Sequence, residues 1–163
     1  MAARAFISCG QREGEQVVAQ AIAHALTNLV GLQAYVALDA QSIQDVSSGI
    51  LGELRRSDYY VFVDFCRDPL SGSDEGLFRG SLFSHQELAI AYALGFEHAL
   101  FFRERNVKLE GVCAYIASNA TVFEDRSTLP ALVAAAAKGR GWNPGYSRNL
   151  VLGPLRLSDE LIQ

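Results

Sequence analysis

Short apolar runs alternate along this chain with longer segments of helical periodicity. Residues 5–8 form an apolar run ending at Cys9-Gly10-Gln11. Residues 14–30 follow, with Val18, Ile22, Leu26 and Leu29 at the spacing of one helical face. Gly31 closes that helix, and a second short run, 33–38, ends at Asp39. Residues 39–47 are polar and read as a loop, and 48–54 as a short helix. Residues 58–65 hold a run of aromatic and β-branched residues too continuous for a strand exposed on one face, which predicts a central strand.

The segment 66–83 carries Pro69, Gly72, Gly76, Gly80 and three serines, and predicts a long connection of the kind that serves as a lid. A mostly buried helix is expected over 84–95, a strand over 98–102, a charged stretch over 103–110 and a helix over 111–117. A short strand at 121–123 and an alanine-rich helix at 129–138, stopped by Gly139, complete the series. Repeated βα order predicts a parallel sheet covered on both faces. Ligands then belong where strand C-termini meet helix N-termini, so 8–11, 39–48, 64–73 and 84–87 are expected to gather at one edge. The α/β domain is expected to span 1–140. Residues 141–163 read as a tail or a connection to a further domain, with a turn at 142–145 and a strand at 150–157.

Half of the 163 residues are apolar, enough for one domain to bury a core without disulfides or metal. The apolar stretches 88–94 and 132–137 are far below the roughly 20 residues of a membrane span, and no signal-peptide pattern opens the chain, so a cytoplasmic protein is expected. Cys9, Cys66 and Cys113 form no ligand or disulfide pattern and read as reduced thiols. A formal charge of −4 without a run of Lys or Arg argues against nucleic-acid binding. Arg67, Arg79 and Arg103 could meet phosphates locally, although a solvated surface charge is the simpler reading of each.

Ser84-His85-Gln86-Glu87 is the sharpest local signal. It matches a capping box, in which Ser84 and Glu87 would satisfy free backbone N–H groups. Its position at the expected ligand edge also suits Glu87 to chemistry on a bound sugar. Cys9-Gly10-Gln11-Arg12-Glu13-Gly14 is not a dinucleotide fingerprint and no P-loop occurs, so hydride transfer and NTP hydrolysis find no support. A phosphoacceptor receiver domain could use Asp64, but Ser8 and Cys9 stand where its acidic pair would be. His24 and His98 read as packing or surface residues, while His85 sits at the edge with no triad partner at diagnostic spacing. Asp39 and Asp45 could bind ligand hydroxyls, turn formation being their simpler role.

Taken in order, Arg4-Ala5-Phe6-Ile7-Ser8, the stretch 38–50, Ser57 to Val63 and Ser84 to Glu87 resemble the opening strand, BB-loop region, third strand and catalytic-glutamate position of Toll/interleukin-1 receptor (TIR) domains. The resemblance is to bacterial TIR-like proteins related to nucleoside deoxyribosyltransferases, and it runs through most of the chain. The segment 66–83 is longer than in that family, and Ser84-His85-Gln86 replaces the aromatic-cysteine pair often found before its glutamate. The resemblance implies a flavodoxin-like α/β fold and cleavage of the nicotinamide–ribose bond of NAD⁺, which is substrate and not cofactor. It implies Glu87 as the catalytic group, Phe6, Ser8, Cys9 and Ser84 around the substrate, and Asp39 and Asp45 on a gating loop. It further implies homotypic TIR–TIR assembly, a fused or separate sensor domain, and bacterial antiphage or stress signalling. Two alternatives stay open: a non-catalytic interaction module working through 39–48, and a deoxyribosyltransferase-like enzyme with Glu87 as nucleophile.

Overall fold

Five parallel strands form the sheet of the computed structural model, which describes residues 2–37, 49–72 and 76–148. The elements in chain order are β1 (Arg4–Ser8), α1 (Glu13–Ala25), β2 (Gln33–Val36), α2 (Leu51–Arg56), β3 (Tyr59–Asp64), β4 (Asp68–Pro69), β5 (Phe78–Arg79), α3 (Leu82–Ala93), β6 (Ala99–Glu104), α4 (Gly111–Ile116), β7 (Thr121–Phe123) and α5 (Leu129–Gly139). The strand order β2-β1-β3-β6-β7 is the flavodoxin-like arrangement. As expected, β3 is central and every residue in it is buried.

Alternation along the strands sends side chains to two cores. Ala5, Ile7, Val61 and Val63 face α1 and α5, where they meet Ile22, Leu26, Leu129 and Val133. Phe6, Tyr60 and Phe62 face the other way and pack with Leu54 of α2, Leu88 of α3 and Cys113 of α4. The result is three layers, helices on both sides of one sheet. Helix α1 runs into a π turn over Leu26–Val30 and ends at Gly31, whose φ of 82° is the left-handed cap that the sequence predicts.

Two segments differ from expectation. The stretch 66–83 is no simple loop: β4 and β5 pair antiparallel, with Arg67 N–H donating to the Arg79 carbonyl at 3.0 Å and Leu70 N–H to Leu77 at 2.9 Å. Phe78 also bonds backbone to backbone with Asn106 and Lys108, which ties this hairpin to the turn after β6. Helix α3 begins at Leu82, with Ser81 as its N-cap, instead of at residue 84.

Residues 140–148, after α5, pack on the domain. Trp142 is buried and stacks on Tyr59 at 4.3 Å between ring centroids, and Ala3 N–H donates to the Pro144 carbonyl at 2.8 Å. The strand expected at 150–157 lies outside the described residues. Among the described residues no helix is long and apolar enough to cross a membrane.

Candidate functional site

In this strand order the chain lays β2 on one side of β1 and β3 on the other, so the C-terminal ends of β1 and β3 flank the switch point where open α/β sheets bind ligands. Ser8 closes β1 and Asp64 closes β3, with Ser8 in register with Phe62. Both are completely buried polar residues. Helix α3 lies over this edge and turns Ser84, Glu87, Leu88 and Ala91 inward, the spacing of one helical face.

Glu87 is 3% exposed, and the Ser8 hydroxyl donates to its Oε2. The capping box read from the sequence is not the one present. Ser81 caps the helix by accepting from Ser84 N–H at 3.4 Å, and Ser84 Oγ donates back to the Ser81 carbonyl at 3.0 Å. Glu87 therefore lies in the second turn, past the free N–H groups that a capping carboxylate would satisfy. Its charge is directed at the sheet edge. Burial pushes the Tyr60 hydroxyl well above its ordinary pKa, with repulsion from Glu87 adding to the rise and Ser8 opposing it. Tyr60 is fully buried beside Ser8, and its hydroxyl makes no hydrogen bond of good geometry among the described residues.

Asp64 fixes where α3 starts. Its Oδ1 accepts from Ser81 N–H at 2.9 Å, and its Oδ2 meets His85 Nε2 at 2.5 Å. A Cβ at position 80 would collide with this carboxylate, so glycine there allows the chain to pass close over Asp64. The His85 ring also packs on Phe62 at 6.0 Å. His85 thus has the acidic partner that no local spacing revealed, 21 residues earlier at the end of a buried strand.

The remaining candidates are distributed around this centre. Phe6 is fully buried between Tyr35, at 5.4 Å, and Tyr60, at 6.0 Å, below Ser8 on the same face. Cys9 is buried, and burial followed by repulsion from Glu87 and Glu15 raises its thiol to about 12, so it is a neutral wall and no nucleophile. Asp39 and Asp45 lie outside the described residues. A half-buried ion pair has no signal in the sequence: Arg67 grips the buried Glu15 through Nε at 2.9 Å and Nη2 at 2.5 Å, where Gly10 leaves room for both side chains. Among the described residues no group of His, Cys, Asp and Glu is arranged to hold a metal ion. No family model matches this chain, and no curated protein matches it.

Proposed function

We propose that this protein breaks the nicotinamide–ribose bond of NAD⁺ at Glu87, as a glycohydrolase or cyclase of the TIR type. The observation that supports this reading best is the placement of Glu87: a buried carboxylate without a capping role, bonded by Ser8, at the switch point of a parallel sheet. Perturbed carboxylates at a ligand edge are where catalytic groups cluster, and that position favours chemistry for Glu87.

The chemistry needs little more than this. The C1′–N bond breaks with its electron pair going to the pyridinium nitrogen, so nicotinamide departs neutral and no general acid is required. The barrier lies in the oxocarbenium-like ribosyl cation. A carboxylate held in a dry site beside that cation stabilises it, and such terms reach on the order of several kcal/mol, or thousands-fold in rate. Ser8 donates to one carboxylate oxygen, Oε2, and so orients the group at the sheet edge. The Tyr60 hydroxyl, a buried donor beside them, suits a ribose oxygen. Water attack on C1′, with loss of a proton, yields ADP-ribose; attack by a ring nitrogen of the adenine yields the cyclic product. Homotypic assembly, a sensor domain as trigger, and a role in bacterial antiphage or stress signalling in the cytoplasm belong to the same reading.

The test is nicotinamide release from NAD⁺, followed by chromatography at high protein concentration with and without a crowding agent. The native chain is expected to release nicotinamide and Glu87→Gln to release none, with circular dichroism unchanged. Equal release by both proteins would remove Glu87 from the chemistry. Release of free base from deoxynucleosides with NAD⁺ untouched would move the assignment to a deoxyribosyltransferase.

A further inference from the structure

The hairpin that the sequence presents as a long loop builds a cavity of about 420 Å³ at the start of α3. That volume falls within the roughly 300–1,000 Å³ of small-molecule sites. Arg67, Asp68, Arg79 and Gln86 line it, with Leu82 and Phe83 as apolar walls. Gln86 adjoins Glu87 along the helix, and Gly80, also in the lining, passes over Asp64. The cavity therefore belongs to the same edge of the sheet as the carboxylate.

Most charges around it are paired, and Arg79 is the exception. Arg67 is held side-on by Glu15 through Nε and Nη2, and its Nη1 makes no hydrogen bond among the described residues. Asp68 is matched by Arg12 at 3.0 Å. Arg79 has no carboxylate partner among the described residues, although it is exposed and free to choose one. Three guanidiniums, of Arg12, Arg67 and Arg79, stand with the carboxylates of Glu15 and Asp68 and with that of Asp64, which lies under Gly80 and meets His85. The Glu15 contact also pre-orients Arg67, so less side-chain freedom is lost on binding than for a free arginine. Gln86 adds an amide donor. The Nη1 edge of one guanidinium, a second guanidinium and an amide lining one cavity offer donors suited to the oxygens of a phosphate group. A long polyanion is a poor fit to a chain of net charge −4.

We propose that Arg79, Arg67 and Gln86 form a phosphate-binding subsite for a small phosphorylated ligand. As the diphosphate subsite of a dinucleotide, this assignment rests on the glycohydrolase reading. It also gives the hairpin a job: it supplies both arginines, one on each strand side of the turn.

Isothermal titration of the full chain at constant ionic strength tests it, with sodium pyrophosphate and ADP-ribose as the probes. Both are expected to bind the native chain, and Arg79→Glu and Arg79→Gln are expected to weaken both by at least tenfold. Arg79 is exposed, so neither variant threatens the fold. No binding of either probe at millimolar concentration, or equal binding by the variants, overturns the subsite. Arg79-dependent binding without any NAD⁺ cleavage supports the subsite and defeats the glycohydrolase reading. Cleavage whose KM for NAD⁺ ignores both substitutions defeats the subsite and leaves that reading intact.

Discussion

Ser8, the last residue of β1, donates its hydroxyl to Glu87 Oε2 across 79 residues of chain. Hydrogen bonds to charged groups contribute about 1.5–3 kcal/mol. Ser8→Ala leaves the carboxylate buried with that donor gone, so a stability loss of about that size is expected in urea denaturation. Under the proposed chemistry nicotinamide release also falls at least tenfold, because the carboxylate is no longer held to the ribose. Glu87→Gln behaves differently. Its amide oxygen still accepts from Ser8, so stability is expected to stay within about 1 kcal/mol while turnover is lost. The two variants together separate holding the group from being the group; a Ser8→Ala protein as stable and as active as the native chain would show that the contact does neither.

The Asp64–His85 pair makes a prediction that does not depend on catalysis. Asp64 accepts from Ser81 N–H and meets His85 Nε2, a contact that places an imidazole proton on Nε2. Asp64→Asn changes the pattern. Its amide oxygen can keep the Ser81 bond, but its NH₂ group then faces His85 and donates, which requires an unprotonated Nε2. The expected outcome is a switch from the Nε2–H to the Nδ1–H tautomer, read from the ¹⁵N shifts of the ring. The same tautomer in both proteins would mean that Asp64 does not set it.

These two contacts also mark where sequence reasoning stops. The central strand was legible because the run 58–65 has no polar alternation, and the βα rhythm then fixed the ligand edge. Glu87 was legible from its place at the start of an apolar helix. Which serine caps that helix was not, since Ser81 and Ser84 both stand shortly before the apolar run 88–94; the choice is made by Asp64, which accepts from Ser81 N–H over a gap that no local pattern spans. The hairpin was hidden for another reason. Its strands are two residues each and one holds Pro69, too short for a period of two to register. Leu82 and Phe83, at 62% and 42% exposed, look like a loop end because their side chains leave the core and line the cavity instead.

Alkaline pH is expected to destabilise the fold through Cys9. Its thiol is raised from the ordinary value near 9 to about 12, chiefly by burial. Between these values the unfolded chain loses the proton and the folded chain keeps it, so the unfolded state binds fewer protons and stability falls as pH rises. The slope for one such group is about 1.4 kcal/mol per pH unit. The buried Tyr60 hydroxyl, also raised, adds a slope of the same sign above pH 10. Urea midpoints measured from pH 8 to 11 are expected to drop beyond pH 9, and Cys9→Ala to flatten that drop by about one proton. A native chain whose midpoint is level across this range would contradict the burial argument.

Arg148 holds two helix ends together from beyond the last helix. Its guanidinium donates from Nε to the Ser57 carbonyl at 3.0 Å, from Nη1 to Leu94 at 2.8 Å and from Nη2 to Leu54 at 3.1 Å. These carbonyls close α2 and α3, where the helix dipole favours a cation. The group also lies 3.8 Å over the Phe96 ring, and Arg148 N–H donates to Asp58 Oδ1 at 2.9 Å. Burial lowers its pKa, yet a guanidinium starts so high that it stays charged at neutral pH. Arg148→Ala strands three carbonyls, at about 1–3 kcal/mol each before water enters the gap, and a net loss of about 3–5 kcal/mol is expected. Arg148→Lys keeps the charge but not the fork, so it is expected to fall between Ala and the native chain. Because α3 also carries Glu87, in its second turn, slackness at Leu94 reaches the site: Arg148→Lys is expected to lower nicotinamide release several-fold at a temperature where it remains folded. A denaturation midpoint for Arg148→Ala within about 1 kcal/mol of the native value would show that the segment after α5 merely rests on the domain.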